Sequence, residues 1–208
     1  MKRRWICRLG AAMMVTCLLF AAASCAKQEP PDEAVESVPY DEARLEEYLS
    51  SVTYRDLTVL FDEKKETKGE AVWRTVLGSA TVREYPAEQT AYYAAQIRAE
   101  YRYLAERENM TYEEMLALRG MSEASIEAEA RAMVKSDLVF LYIVNDADIR
   151  LSGEEKTGLY DRYADKYVDR YGYDRTYVDA NLREEVYESM LYDKTMEYLI
   201  LHNEVTHG

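Results

Sequence analysis

The chain reads as an all-α protein with one short extended segment near its N-terminus. Three observations predict this. From Val72 onward, apolar residues recur at three- and four-residue steps over most of the sequence. Ser/Thr-x-x-Glu boxes precede two of those runs, at Thr111 to Glu114 and Ser152 to Glu155. Only Val52 to Phe61 (VTYRDLTVLF) shows the alternation and β-branched content of a strand.

Each element follows from local chemistry. Asp41 to Ser50 opens on a capping Asp and suits a short helix. The extended run comes next, and Lys64 to Gly69 is a charged turn. Helical spacing begins at Glu70, with Val72, Trp73, Val76, Leu77 and Ala80 along one side. Pro86 stands in the first turn of a new helix, where its missing N–H costs nothing. That helix runs to about Asn109, roughly 36 Å. Thr111 caps a short helix ending near Gly120. Ser122 caps a longer one, striped by Ile126, Ala130, Met133, Val134, Leu138 and Leu141. Its last stretch, Leu138 to Val144, is apolar all round and is predicted to be the most buried segment. Ser152 caps the next helix, along which Tyr160, Tyr163, Tyr167 and Tyr171 share a face. After Gly172, the residues Val178, Leu182, Val186 and Met190 stripe one final long helix ending near Asn203.

The N-terminus has a different character. Lys2, Arg3, Arg4 and Arg8 are followed by an uncharged run, Leu9 to Ala23, that closes on Ala22-Ala23-Ser24-Cys25. This resembles a bacterial lipoprotein leader: a basic start, a short apolar stretch and small residues before a cysteine. The resemblance implies acylation of the Cys25 thiol, cleavage before Cys25 and attachment to the extracytoplasmic face of the cell membrane. Such leaders favour Leu three residues before the cysteine, where this chain has Ala22. An ordinary cleaved secretory leader is the alternative. A retained span fits less well, because the apolar run of about 15 residues is short of the roughly 20 a bilayer needs. Residues 26–40 include AKQEPPDEAVESVP, with three of the four prolines, and are expected to form an acidic tether. Residues 41–208 are expected to be the helical domain.

Past residue 25 the chain keeps 22 basic and 39 acidic residues, a net charge of −17. A surface this acidic repels nucleic acid and anionic lipid. Cys7 and Cys17 lie in the leader, so no disulfide is expected and stability must come from packing. Tyrosine is the compositional outlier: all 19 lie after the leader, against Phe61, Phe140 and Trp73. A Tyr ring buries large area while its hydroxyl stays wet, which suits core edges and binding surfaces alike.

Catalytic constellations are hard to find. The only histidines, His202 and His207, sit at the C-terminal fringe, where poor order is expected. No Ser–His–Asp or Cys–His pairing, His/Cys metal spacing or glycine-rich phosphate loop is present. Glu46-Glu47, Glu113-Glu114, Glu154-Glu155 and Glu184-Glu185 are adjacent on helices and diverge by about 100°, so they do not face across a cleft. The sequence is read as non-enzymatic and without a cofactor or metal.

From Val72 onward the chain resembles the C-terminal chaperone domain of trigger factor. The resemblance is carried by Trp73 and Val76, Val82-Arg-Glu-Tyr-Pro86 and the long helix after it. It continues through Met110-Thr-Tyr-Glu-Glu-Met-Leu116, the helix from Ser122, Ile149-Arg-Leu-Ser-Gly-Glu-Glu155, Tyr171-Gly172 and the closing Val186 to Leu201 helix. It covers about 130 residues and rests on element order, lengths and soft motifs. It implies an elongated multi-helix body with long arm-like helices and a client-binding cradle. Nothing matches the family's ribosome-docking domain. Only 11 residues, Asp62 to Val72, occupy the place of its prolyl-isomerase domain.

The resemblance therefore implies an ATP-independent holdase for unfolded or nascent secreted polypeptides, tethered by lipid and with neither ribosome nor nucleic acid as partner. A non-catalytic lipoprotein that recruits one specific partner is the alternative, because a fold does not establish a function. A prolyl-isomerase foldase ranks below both. Candidate client contacts are the Tyr stripe (Tyr160, Tyr163, Tyr167, Tyr171) with Tyr92, Tyr101, Met115 and Met190. Adaptable Met and aromatic side chains suit varied clients.

Overall fold

Capping side chains set where the helices begin. In the computed structural model, which describes residues 38–207, 68% of the described residues are helical. Asp41 accepts from the Ala43 N–H and opens a 3-10 turn, Glu42–Arg44, that passes into α1 (Leu45–Tyr48). The short helix stops there, because Leu49–Ser51 is a strand, β1. Thr67 forms a reciprocal box with Glu70 and starts α2 (Lys68–Ser79). Pro86 is the N-cap of α3 (Ala87–Arg107), one position earlier than a first-turn proline. The Thr111–Glu114 box opens α4 (Tyr112–Leu118). The Ser122 hydroxyl accepts from the Ser125 N–H and starts α5 (Glu123–Asp146). The Ser152–Glu155 box opens α6 (Gly153–Tyr171).

The final helix differs from expectation. The stripe from Val178 to Met190 belongs to two helices, α7 (Arg175–Asn181) and α8 (Arg183–Leu201). The backbone breaks at Leu182, with φ −118° and ψ 18°. Asn181, a weak helix former, donates its side-chain amide to the Tyr177 carbonyl just before the break. Leu182 nonetheless stays buried in the same apolar cluster as Val178, Val186 and Met190, so the stripe persists while the helix does not.

The extended elements also exceed the single segment expected. Within the Val52 to Phe61 run only Thr58–Phe61 is a strand, β2. Thr81–Val82 forms β3, which pairs with β1. Glu204–His207, expected to be a poorly ordered fringe, is a strand, β4, and runs parallel to β2 with Val59 opposite Val205. Asn203 locks this pairing. Its amide carbonyl accepts from the Leu57 N–H, and its NH₂ donates to the carbonyls of Tyr54 and Leu199.

The described chain divides into two compact units. The first comprises residues 38–48 and 82–138. Its buried side chains include Tyr93, Ile97, Met115, Ile126, Ala130 and Val134. Asp137 is buried with them and accepts hydrogen bonds from Tyr40 (3.1 Å) and Tyr93 (2.5 Å). Gln89 donates to the Pro39 carbonyl. Pro39 and Tyr40, read as the end of the tether, are thus fastened to the helices. The leader with Cys25, and the tether up to residue 37, lie outside the described residues.

The second unit comprises residues 49–81 and 139–207. The last turns of α5 are its deepest part: Val139, Phe140, Leu141, Ile143 and Val144 are all buried, and so is Leu138 just before them. β2 packs on α2, and α2 on α8. Phe140 stacks on Tyr192 at 5.9 Å.

Leu138 is fully buried in α5. Leu138→Ala is expected to cost about 2–5 kcal/mol, the range for a large-to-small change at a packed site. Urea unfolding followed by circular dichroism measures it.

Candidate functional site

The site is built on α6, α7 and α8 of the second unit. The Ser152–Glu155 box fixes the start of α6, and Lys194 on α8 donates to both Glu155 oxygens at 2.6 and 2.8 Å. These contacts, led by the Lys194 hydrogen bonds and then the Ser152 N–H, hold the Glu155 carboxyl down to about 2. Between α6 and α8 lies the apolar cluster of Tyr160, Tyr163, Ala164, Val178, Leu182, Val186 and Met190. The Tyr160 hydroxyl donates to Asp179 at 3.0 Å and the Tyr163 hydroxyl to Asp193 at 2.6 Å. Burial first, then the Asp193 hydrogen bond, pushes the Tyr163 phenol up to about 12. Arg175 holds α7 in place through Asp161, Asp165 and Asp179 at 2.5–2.9 Å.

At the turn between α6 and α7 the tyrosines emerge. Gly172 ends α6 at φ 68° and ψ 18°, a left-handed conformation that strains other residues, and its N–H bonds the Val168 carbonyl. Asp174 caps the Thr176 N–H and starts α7. This tight reversal brings four rings into a row. Tyr167 and Tyr171 are 5.4 Å apart between centroids, Tyr171 and Tyr173 6.0 Å, and Tyr173 and Tyr177 5.3 Å. The inner ring is anchored: the Tyr167 hydroxyl bonds Ser189 and the Glu185 carbonyl. The outer three are 47%, 40% and 46% exposed, well above the core tyrosines. Arg170 lies over Tyr171 at 5.6 Å. The row presents three exposed aromatic rings on one surface.

The predicted contact residues divide sharply. Tyr160, Tyr163 and Met190 belong to the core cluster, with exposures of 8%, 7% and 2%. The reading of these three as open contact surface is corrected: their rings and thioether fill the space between helices. Met115 and Tyr92, in the first unit, are buried as well and are corrected for the same reason. Tyr101, also in the first unit, is half-buried, and burial followed by nearby Glu129 raises its phenol. Only Tyr167 and Tyr171 are brought together at an accessible surface. Tyr173 and Tyr177 complete that surface and were missed. Their signal lay in the sequence as Tyr-Gly-Tyr at the predicted break, outside the helical stripe.

Among the described residues no group of three His, Cys, Asp or Glu side chains is placed to hold a metal ion. No described helix is long and apolar enough to cross a membrane. No family model, curated protein or solved structure matches the chain.

The Glu155 carboxyl is depressed in the folded state, so its contribution is present above the ordinary glutamate range, about 4.3. It is lost as pH falls toward 2. The stability difference between the parent and Glu155→Gln is therefore expected to be largest near neutrality and to vanish near pH 2. Thermal unfolding of both proteins across that range tests the sign.

Proposed function

We propose that this protein is a lipid-anchored, extracytoplasmic, ATP-independent holdase for unfolded or nascent secreted polypeptides. The exposed tyrosine row at the α6–α7 turn carries the reading. Three rings of an acidic, tyrosine-rich chain stand out from the surface on a turn whose base is a packed core. Tyr offers large contact area with little side-chain entropy to lose, and its hydroxyl adapts to many partners. Weak contacts of this kind suit reversible holding of varied chains. The helical build and the trigger-factor resemblance from Val72 onward support the same reading, and the leader ending at Cys25 supports a membrane tether. No catalytic residue and no cofactor enter the proposal.

One observation favours a second reading, a non-catalytic lipoprotein that recruits a single partner. Three of the four exposed tyrosines described fall in one turn, Tyr171 to Tyr177, with an arginine over the first; the fourth is Tyr103. Compact Tyr/Arg clusters are the usual anchors of specific interfaces.

Replacing Tyr171, Tyr173 and Tyr177 together by Ser is expected to leave the melting temperature near the parent's. Exposed substitutions typically act within about 0.5 kcal/mol each. The same variant is expected to lose suppression of aggregation across a panel of unrelated unfolded proteins. Full suppression by a folded triple variant removes the row from the function. Suppression restricted to one protein in the panel selects the second reading.

Cys25→Ser is expected to abolish incorporation of labelled fatty acid and to shift the protein from the membrane fraction or leave it unprocessed. Labelling that persists in the variant refutes lipidation at Cys25.

A further inference from the structure

A second surface of the same unit shares no residue with the tyrosine row. It is an open groove of about 530 Å³ lined by Asp56, Leu57, Thr58, Leu201, His202, Asn203 and Glu204. Several features give it one electrostatic sign. The C-terminal end of α8 falls here, with His202 as its cap, and helix C-termini carry partial negative charge. Asp56 and Glu204 are both exposed, and neither carboxylate has an ion-pair or hydrogen-bond partner among the described residues. The adjacent cation is occupied: Arg55 lies over Tyr54 and Tyr198, donates to the Tyr54 hydroxyl and faces Asp146. Asn203 is consumed in locking β2 to β4. The groove also has an apolar wall, since Leu201 is 81% exposed, the most exposed large apolar side chain described.

We propose that this groove docks an extended segment of another polypeptide that bears a lysine or arginine beside an apolar side chain. The two unpaired carboxylates and the helix end accept the cation, and Leu201 meets the neighbouring side chain. Anionic ligands are repelled by the same groups. Asp56, His202 and Glu204 are not placed together to hold a metal ion. A second copy of the chain past residue 25 brings a net charge of −17 against an acidic rim. The extended form follows from the neighbouring sheet: among the described residues β4 pairs only with β2, and its other edge makes no strand pairing, the kind of edge to which an extended segment adds.

The test uses the protein lacking residues 1–25 and a terminally blocked, fluorescent octapeptide of alternating lysine and leucine. Its glutamate–leucine counterpart is the control, and binding is read by anisotropy at low and moderate salt. Asp56→Asn with Glu204→Gln is expected to weaken lysine-peptide binding about tenfold, as for two partly exposed ion pairs. Asn also tolerates the left-handed conformation at position 56, where φ is 57°. Leu201→Ser is expected to weaken binding severalfold. Glu108→Gln with Glu113→Gln, in the other unit, is expected to leave it unchanged. The proposal is overturned if the groove variants bind like the parent, or if the distant pair weakens binding equally, which is diffuse acidic attraction. It is also overturned if the glutamate peptide binds as well, or if sedimentation shows that the groove variants change self-association and not peptide binding. Circular dichroism confirms that each variant is folded.

Discussion

Tyrosine hydroxyls donate to carboxylates throughout this protein, and both units are held by that one kind of contact. Tyr40 and Tyr93 share Asp137, and Tyr112 donates to Glu123. Tyr54 donates to Asp146, Tyr160 to Asp179 and Tyr163 to Asp193. A buried phenol without an acceptor forfeits on the order of 1–3 kcal/mol, and hydrogen bonds to charged groups sit at the strong end of the range. The pairing lets a chain poor in Phe and Trp build its interiors from Tyr. It also gives work to an acidic composition that otherwise only repels. Asp137, 3% exposed, is the extreme case: a carboxylate inside an apolar unit, held by two phenols.

The same chemistry explains why helix periodicity was a good guide to faces and a poor guide to sites. Spacing correctly put Tyr160, Tyr163, Tyr167 and Tyr171 on one side of α6. It could not tell a ring whose hydroxyl finds Asp179 or Asp193 across the cluster from one whose ring meets water. That difference is made by α7 and α8, which cover the first two tyrosines and leave Tyr171 beyond their reach. Tyr173 and Tyr177 fell outside the stripe because Gly172 changes the chain direction, so proximity there is a property of the turn.

Local signals fared best where the chemistry is local. The boxes at Thr111 and Ser152, the stop at Gly172 and the apolar end of α5 follow from a few neighbouring residues. The Thr67–Glu70 box has the same form but overlaps the Lys64 to Gly69 run, whose charge pattern predicts a turn. Non-local structure stayed hidden. Glu204-Val-Thr-His207 has little strand character of its own, and its extended form depends on β2 and on Asn203. The break at Leu182 was masked because its side chain keeps the register of the stripe.

The locking of Leu57 by Asn203 joins residues 146 apart in the sequence. A chain that leaves a ribosome or a translocation channel N-terminus first presents β2 long before β4 exists. Until then β2 has no strand partner. Such distant closure is slow compared with the mostly local helical pairing of α3 with α4. Closure of the second unit over β2 therefore waits for Asn203 and β4. A protein proposed to shelter unfinished chains is, for that interval, an unfinished chain with the same vulnerability.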